Sequence, residues 1–566
     1  MRPAFFIRYA MSIHYAYTHS VTEGTTGYFS CEPPADLSFE QALALLEAAP
    51  QDEFLHRHLL HRCAALPLSD LEELVPRALG GEKALVALLL ECALLAPRLA
   101  PLAERFAPDA AAHFCAYSPL IHLRWRQLED RDLHQAWNAL FTANQTQLRP
   151  MPHPQDSDLP FPYADAASGK AAPVTIAQLC GQAAPEAVAR PPAKETAALA
   201  LERLEAHGLL AGPEMRHEAS LSPIALLRSW KLAVTVQNDA LDYSLHGTAT
   251  SYGRGLSLAA ARASCLMEIV ERAGAYISVR GDELPQLTRP ARLVRERFSR
   301  LRDKAEALDP DALLPDVPYR DEALHWIPAT AARDGRTVLV PFQAVGLFCN
   351  LDEPSLFEAP GSTGLASGNT WEEAKESALT EILERDAEAA TPYQRALCFE
   401  LRAERQDLAA LLEDYAARGI QIRFQVLASA FGMPCFACFV VGRKGEATRA
   451  CGAGLDGRRG LLAALTETPY PYPGGPPSGP GLRGLPQRLL ETLPNYDQGS
   501  AAANSALLEQ ALLANGCEPL YVDLTRADLQ FPVLRALVPG LAAAPAGGFG
   551  RMNRSLFANY LKLNSP

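Results

Sequence analysis

Two stretches of this sequence repeat an acidic pattern with the means to do chemistry. Ser264-Cys-Leu-Met-Glu-Ile-Val-Glu-Arg272 matches Ser377-Ala-Leu-Thr-Glu-Ile-Leu-Glu-Arg385, and serine, both glutamates and arginine keep register. Glutamates three apart on a helix project from one side, so Glu268 pairs with Glu271 and Glu381 with Glu384. Brought together, four carboxylates repel one another unless cations sit among them. Mg²⁺, a hard ion that takes oxygen ligands and in turn holds phosphates, suits such a cluster. The competing reading is two ordinary amphipathic helices with solvated glutamates. The matched serine and arginine, and a glycine-flanked base ahead of each copy, favour the shared cluster.

The element that must position the second pair runs from Gly361 to Ala389. It opens on small residues and glycines, a loop whose amides can approach an anion. It then becomes a helix, with Asn369 or Thr370 as N-cap and Glu372 and Glu373 in the first turn. Ala374, Ala378, Leu379, Ile382 and Leu383 make its apolar face. The first copy follows a similar base, Gly253-Arg254-Gly255, read as a loop.

The chain of 566 residues has room for two or more domains. A net charge of −13 argues against a broad nucleic-acid surface but leaves room for a local basic pocket. The twelve cysteines are scattered through apolar segments, as expected of reduced thiols rather than a disulfide framework. Cys435 and Cys438 form a CxxC inside a buried-strand pattern with no second pair. The N-terminal twenty residues lack a signal-peptide pattern, and the apolar run Ala84–Ala96 is too short to span a bilayer. A soluble, cytoplasmic protein with no nucleic-acid or membrane partner is expected.

Residues from about 38 to 145 read as helices, opened by a capping pattern at Ser38. His56, His58, His61 and Cys63 do not form one metal-binding face, because His56 and His58 point about 200° apart on a helix. We assign residues 1–149 to a helical domain for docking or oligomerisation, with a homodimer as one arrangement. Nine prolines between Pro150 and Pro192 mark residues 150–192 as a linker. Residues 193–566 form the main domain. It opens with a helix that Gly208 stops and continues through alternating strands and helices. The stretch CGAGLDGRRGLLAALTETP looks like a third loop-to-helix unit, with Glu467 inside its apolar run, before a proline-glycine loop.

Residues from about 190 to 545 resemble the YcaO family of ATP-dependent enzymes that modify peptide backbones. The resemblance rests on the Gly-Arg-Gly segment, SxxxExxER, STGLASGNTxxEAxxxxLxEILERD, GAG followed by ALTE, and VDLT with a later VPG. It implies an α/β fold of sheets flanked by helices, here preceded by an all-helical N-terminal domain. It also implies ATP and Mg²⁺ as cofactors. On matching positions, Glu268, Glu271, Glu381 and Glu384 would hold Mg²⁺, with Glu268 and Glu381 central to catalysis. Thr196, Ser264, Asn369, Glu373 and Arg385 would line the nucleotide site. Arg254 is added here from charge and context. Arg272 is either an ATP contact or a partner of a glutamate.

The implied chemistry is activation of a backbone amide of a peptide or protein substrate by O-phosphorylation, which turns the amide oxygen into a leaving group. Two departures from the family pattern shape the expectation. The chain closes on KLNSP, where azoline-forming members carry a proline-rich tail. That points to a non-azoline product such as a thioamide, or to support of protein methylthiolation, with a sulfur-transfer or substrate-docking partner. The helix holding ALTE lacks the family's preceding arginine, with Ala463 or Ala464 in its place. Arg458 or Arg459 would then supply the charge. Otherwise the chain is a nucleotide-binding accessory protein without turnover of its own. On this reading, removal of residues 1–145 spares nucleotide binding.

Overall fold

The computed structural model describes residues 12–20, 28–163, 172–181, 189–238, 240–348, 350–359, 361–542 and 549–564. The first eleven residues, read above for a signal peptide, lie outside these, as do parts of the proline-rich stretch and the last two residues.

Alternating apolar runs give three sheets among the described residues. In the first, long strands Ile224–Gln237 and Asp242–Gly255 pair antiparallel over their whole length. The second is ordered Leu365–Ser367, Val533–Leu537, Leu520–Asp523, Leu324–Ala331 and Val294–Glu296. The third contains the buried strand Cys435–Val441, where Cys435 and Cys438 are free thiols. Helices flank these sheets, as the fold class read from the sequence requires.

The helical region begins at Phe39. Ser38 and Gln41 exchange the two hydrogen bonds of a capping box. Before it, residues assigned above to the helical unit form two strands instead. Ile13–Ser20 pairs with Tyr28–Glu32 on one side and, in parallel, with Asp242–Gly255 on the other. Tyr15 and Tyr17 alternate inward and bury their rings. The packing partners lie some 230 residues away, so nothing local in the sequence announces them.

Nor is the region packed apart. Leu43, Leu55, Leu59 and Leu88 share one apolar core with Trp230, Leu245, Ile269 and Val533. Residue 150 is therefore not a boundary of packing. The described parts of the proline-rich segment also lie against the body. Ile176 is buried beside Leu508 and Leu512, and Phe161 and Tyr163 pack on Phe557. His56 is fully buried against Glu91, and His58 bonds Glu32. Both are structural pairs.

Three strand–turn–helix units frame the centre. Strand Asp242–Gly255 leads into helix Leu258–Ala275, strand Leu365–Ser367 into helix Trp371–Ala390, and strand Ala447–Ala453 into helix Gly457–Glu467. Ser257, Thr370 and Asp456 cap the helices through their side chains. Gly253 is the last residue but two of its strand, not part of a loop. A Cβ there would lie 2.1 Å from the Ala261 carbonyl oxygen, and one at Gly452 would lie 2.3 Å from that of Gly460. Both glycines let a helix press onto its own strand.

Because two strands and a shared core belong to the N-terminal part, deleting residues 1–145 should strip a sheet edge and expose leucines. The truncated chain is expected to aggregate on size exclusion and lose its cooperative melt. A monodisperse, folded product would contradict this packing.

Candidate functional site

The three helices point acidic side chains toward one another. On the first, Glu268 accepts the Tyr252 N–H at 2.8 Å, and Arg272 lies 3.6 Å from Glu268 and 3.5 Å from Glu271. On the second, Glu381 accepts the Gly364 N–H at 3.1 Å, and Arg385 lies 3.4 Å from Glu384 and 2.8 Å from Glu388. Each ExxER copy thus folds its arginine back onto its own glutamates. The Ser367 hydroxyl donates to the Met267 carbonyl at 2.9 Å and ties the two units together.

Electrostatics shows how close the carboxylates stand. Burial pushes Glu271 up to about 8, with Glu381 and Glu268 adding repulsion against Arg272. Burial also raises Glu384, aided by Glu467 and Glu381 and opposed by Arg385. Glu381 is raised by burial although Arg385, Arg272 and Arg535 oppose it. Glu467 is raised by burial and by Glu381 and Glu268, with Arg254 and Arg385 pulling down. The four predicted glutamates and Glu467 therefore form one interacting set. Glu388 goes the other way: burial disfavours its charge, but Arg449 and Arg385 outweigh it.

A cleft of about 380 Å³ opens beside this set. Glu381, Glu384 and Arg385 form one wall, Glu467 and Arg459 another, and Arg190, Glu376 and Asp497 the rim. Glu268 and Glu271 stand behind this lining. Among the described residues no three His, Cys, Asp or Glu side chains lie close enough to enclose a single ion. The carboxylates are spread along the cleft instead.

The remaining predicted residues divide. Thr196, Asn369 and Glu373 meet at the start of the second helix. The Thr196 hydroxyl donates to Asn369 Oδ1 at 3.2 Å, and the Asn369 side-chain amide donates to Glu373 at 2.8 Å. Thr370, not Asn369, is the N-cap, accepting the Glu373 N–H at 3.2 Å. Arg254 interacts with Glu467, and its buried Nε has no hydrogen-bond partner among the described residues. Ser264 is exposed and outside the cleft lining, whereas its counterpart Ser377 is in it. Arg458 is tied to its own N-cap Asp456 at 2.8 Å, while Arg459 lines the cleft.

Sequence reading missed Glu467 and Arg535 as members of the set. A signal for Glu467 was present: Ala-Leu-Thr-Glu occurs at 378–381 and again at 464–467. Glu467 also follows its packing glycine by the same fifteen residues as Glu268 follows Gly253. Arg535 gave no such signal. It sits mid-strand, buried, its Nε donating to Ala344 O at 3.1 Å, and it faces Glu381 and Glu271.

A 380 Å³ cleft lined by buried, mutually repelling carboxylates and arginines, on repeated strand–turn–helix units, defines a site for a cation-bearing, highly anionic ligand. Residues 252–469 match the model of the YcaO family, described as YcaO cyclodehydratase, ATP- and Mg²⁺-binding, and this part of the chain is a YcaO domain. An uncharacterized protein of Methanothermobacter thermautotrophicus is 28% identical over 330 residues, covering 51% of this chain and 80% of that one. A heterocyclase solved in complex with substrate and cofactor shares the fold at a TM-score of 0.50 and 18% identity. That match covers 64% of this chain and 55% of the heterocyclase, so the chain spans about half of it. YcaO from Methanopyrus kandleri, bound with AMPPCP and Mg²⁺, aligns at a TM-score of 0.44 and 21% identity, over 62% of this chain and 91% of that one. No helix among the described residues is long and apolar enough to cross a membrane.

The raised Glu271 carboxyl makes a prediction about stability. Between its ordinary value of 4.5 and about 8 the folded chain holds more protons than the unfolded one, so stability falls as pH rises through that window. In EDTA, Glu271→Gln should melt higher than wild type at pH 8, by about 2 kcal/mol, with the gap closing toward pH 4.5. Calorimetry showing no pH-dependent gap would contradict the crowding described.

Proposed function

We propose that this chain is an ATP- and Mg²⁺-dependent enzyme that activates a backbone amide of a peptide or protein by O-phosphorylation. The observation that carries the reading is a cleft lined by arginines and by carboxylates of the second and third strand–turn–helix units, with the first unit's Glu268 and Glu271 coupled to them from behind. A buried acidic set in which Glu271, Glu381, Glu384 and Glu467 are held toward their protonated forms is short of positive charge, which is what Mg²⁺ brings. The chemistry of the donors fits: all are carboxylate oxygens, the ligands a hard divalent ion takes.

The amide to be activated is planar and a poor electrophile. When bound, Mg²⁺-ATP supplies a phosphoryl group for the amide oxygen and the charge that steadies the transfer. Glu381, Glu384 and Glu467, with Glu268 and Glu271 behind them, would supply carboxylate oxygens to Mg²⁺ at separate points along the cleft, since no three of them enclose one ion. Arg385, Arg459 and Arg254 would meet phosphate oxygens with fixed donors. Thr196, Asn369 and Glu373 would hold the nucleotide at the helix start, and Glu268 and Glu381 would carry the catalytic charge. The low-dielectric walls of the cleft strengthen each of these interactions.

For the product, we favour a thioamide or support of protein methylthiolation over an azoline. The helical region would serve a sulfur-transfer or substrate-docking partner. The second reading, a nucleotide-binding protein without turnover, draws on Ala463 and Ala464, which bring no cation to the third helix. Arg459 lies one turn before Ala463 and already lines the cleft, which favours turnover.

Glu268→Gln and Glu384→Gln should each lower phosphate release from Mg²⁺-ATP, measured with substrate peptide, by about 100-fold or more, with circular dichroism unchanged. Nucleotide binding with no phosphate release by wild type would favour the second reading. Burial and its acidic neighbours hold the Glu271 carboxyl up at about 8, so it keeps its proton more readily than a free carboxyl does. Mg²⁺-ATP binding should therefore release protons and tighten from pH 6.5 to 8.5, as titration calorimetry in buffers of different ionisation enthalpy would record.

A further inference from the structure

A second cavity, of about 230 Å³, lies between the helical region and the second sheet and shares no lining residue with the acidic cleft. Its wall is basic in a chain of net charge −13: Arg124, Arg295, Arg297 and Arg320 stand against Glu322 and Asp352. Three of these arginines have partners for their charge or their donors. Arg295 donates to Asp352 at 3.1 Å, Arg297 to the Asp321 carbonyl at 2.7 Å and Arg320 to Gln127 at 2.9 Å.

Arg124 differs. It sits on the short helix His122–Trp125 and is only 4% exposed. Its Nη2 donates to the carbonyls of Leu120, at 3.2 Å, and Ser355. Its Nε and Nη1 are buried without a hydrogen-bond partner among the described residues. Unmet donors on a buried cation are expensive and are seldom left so. Gln51, on the same cavity wall, has the complementary deficit. Its Nε2 donates to the Ala116 carbonyl at 2.6 Å, while its buried Oε1 accepts nothing from the described residues.

We propose that this cavity docks a peptide through a carboxylate, which Arg124 receives, while the adjoining backbone N–H donates to Gln51 Oε1. Sulfate would answer the arginine but set oxygen against the Gln51 oxygen, and phosphate would do so through every oxygen but its protonated one. A carboxylate next to an amide N–H answers both. A chain terminus and an aspartate side chain each carry that pair of groups. The approach is basic as well. Arg289, Arg292, Arg295, Arg297, Arg300 and Arg302 are exposed along one stretch, which includes Val294–Glu296, the last strand of its sheet. That field draws an acidic segment toward the cavity. The site would hold part of a substrate or partner while its amide is treated elsewhere.

Fluorescence anisotropy on the full chain without nucleotide tests this, so its outcome is independent of the ATP reading. The probe is a labelled Gly-Ser-Gly-Ala-Ala peptide with a free C-terminal carboxylate. It is compared with the amidated peptide and with an amidated peptide carrying one internal aspartate. Binding of either carboxylate-bearing peptide, weakened about tenfold or more when that group becomes an amide, supports the site and identifies the source. Arg124→Met should abolish that difference, and Gln51→Leu should weaken binding of the carboxylate peptide. Arg320→Glu, an exposed change at the rim, should weaken binding similarly and serves if Arg124→Met does not fold. The proposal is overturned if neither carboxylate peptide binds, if the folded variants bind as wild type does, or if inorganic phosphate competes as well as the peptide.

Discussion

The structure depends on like charges confined together. Glu271, Glu381, Glu384 and Glu467 are all pushed toward their protonated forms by burial, and Glu271, Glu384 and Glu467 also by neighbouring carboxylates. Arg272, Arg385, Arg254 and Arg535 offset this only in part. Such a set is not self-supporting, because each buried charge is costly unless fully paired. It persists because its helices are fixed from behind. Ala378, Leu379, Ile382 and Leu383 anchor the second helix, and Leu266, Ile269 and Val270 anchor the first. The imbalance of charge is also what makes the cleft receptive to a cation and a polyphosphate in the function proposed.

The same local device builds all three units. A strand turns into a helix through a side-chain cap, and the helix lies flat on the strand it came from. In the first and third units a glycine permits the contact: the 2.1 Å and 2.3 Å approaches at Gly253 and Gly452 leave no room for a methyl group. With that contact set, a glutamate follows fifteen residues on in both units, Glu467 in the cleft wall and Glu268 behind it. Glycine here acts through helix–strand packing rather than through an anion-binding loop. The arginines were less repetitive. Arg459 occupies the third helix one turn ahead of the alanine at 463, and Arg535 enters from a strand of another sheet.

The N-terminal region is bound into this arrangement rather than appended to it. Its strand Ile13–Ser20 completes the sheet that carries the first helix, and its leucines fill the core beneath. Two faces of the chain are thereby brought into relation, the acidic cleft and the arginine-lined cavity beside Gln51 and Arg124. One suits a metal-bound polyphosphate and the other a carboxylate, and the division follows from where each sign of charge is left unpaired.

Much was legible in order along the chain. The two ExxER copies, their caps and apolar faces and the buried CxxC strand all follow from short-range periodicity, whereas the burial of His56 against Glu91 does not. The family pattern followed from the same residues. Other features were not legible because their causes are long-range. Nothing near Ile13 specifies a strand partner at Tyr243, and nothing near Glu467 or Arg535 states that Glu381 lies opposite. Ser264 and Ser377 are alike in sequence, yet one is exposed and the other lines the cleft. The sequence by itself determined which residues carry charge and on which side of each helix they stand. Only the tertiary structure decided which of those sides meet, because burial and repulsion between distant segments exist only once the sheets have closed the core around them.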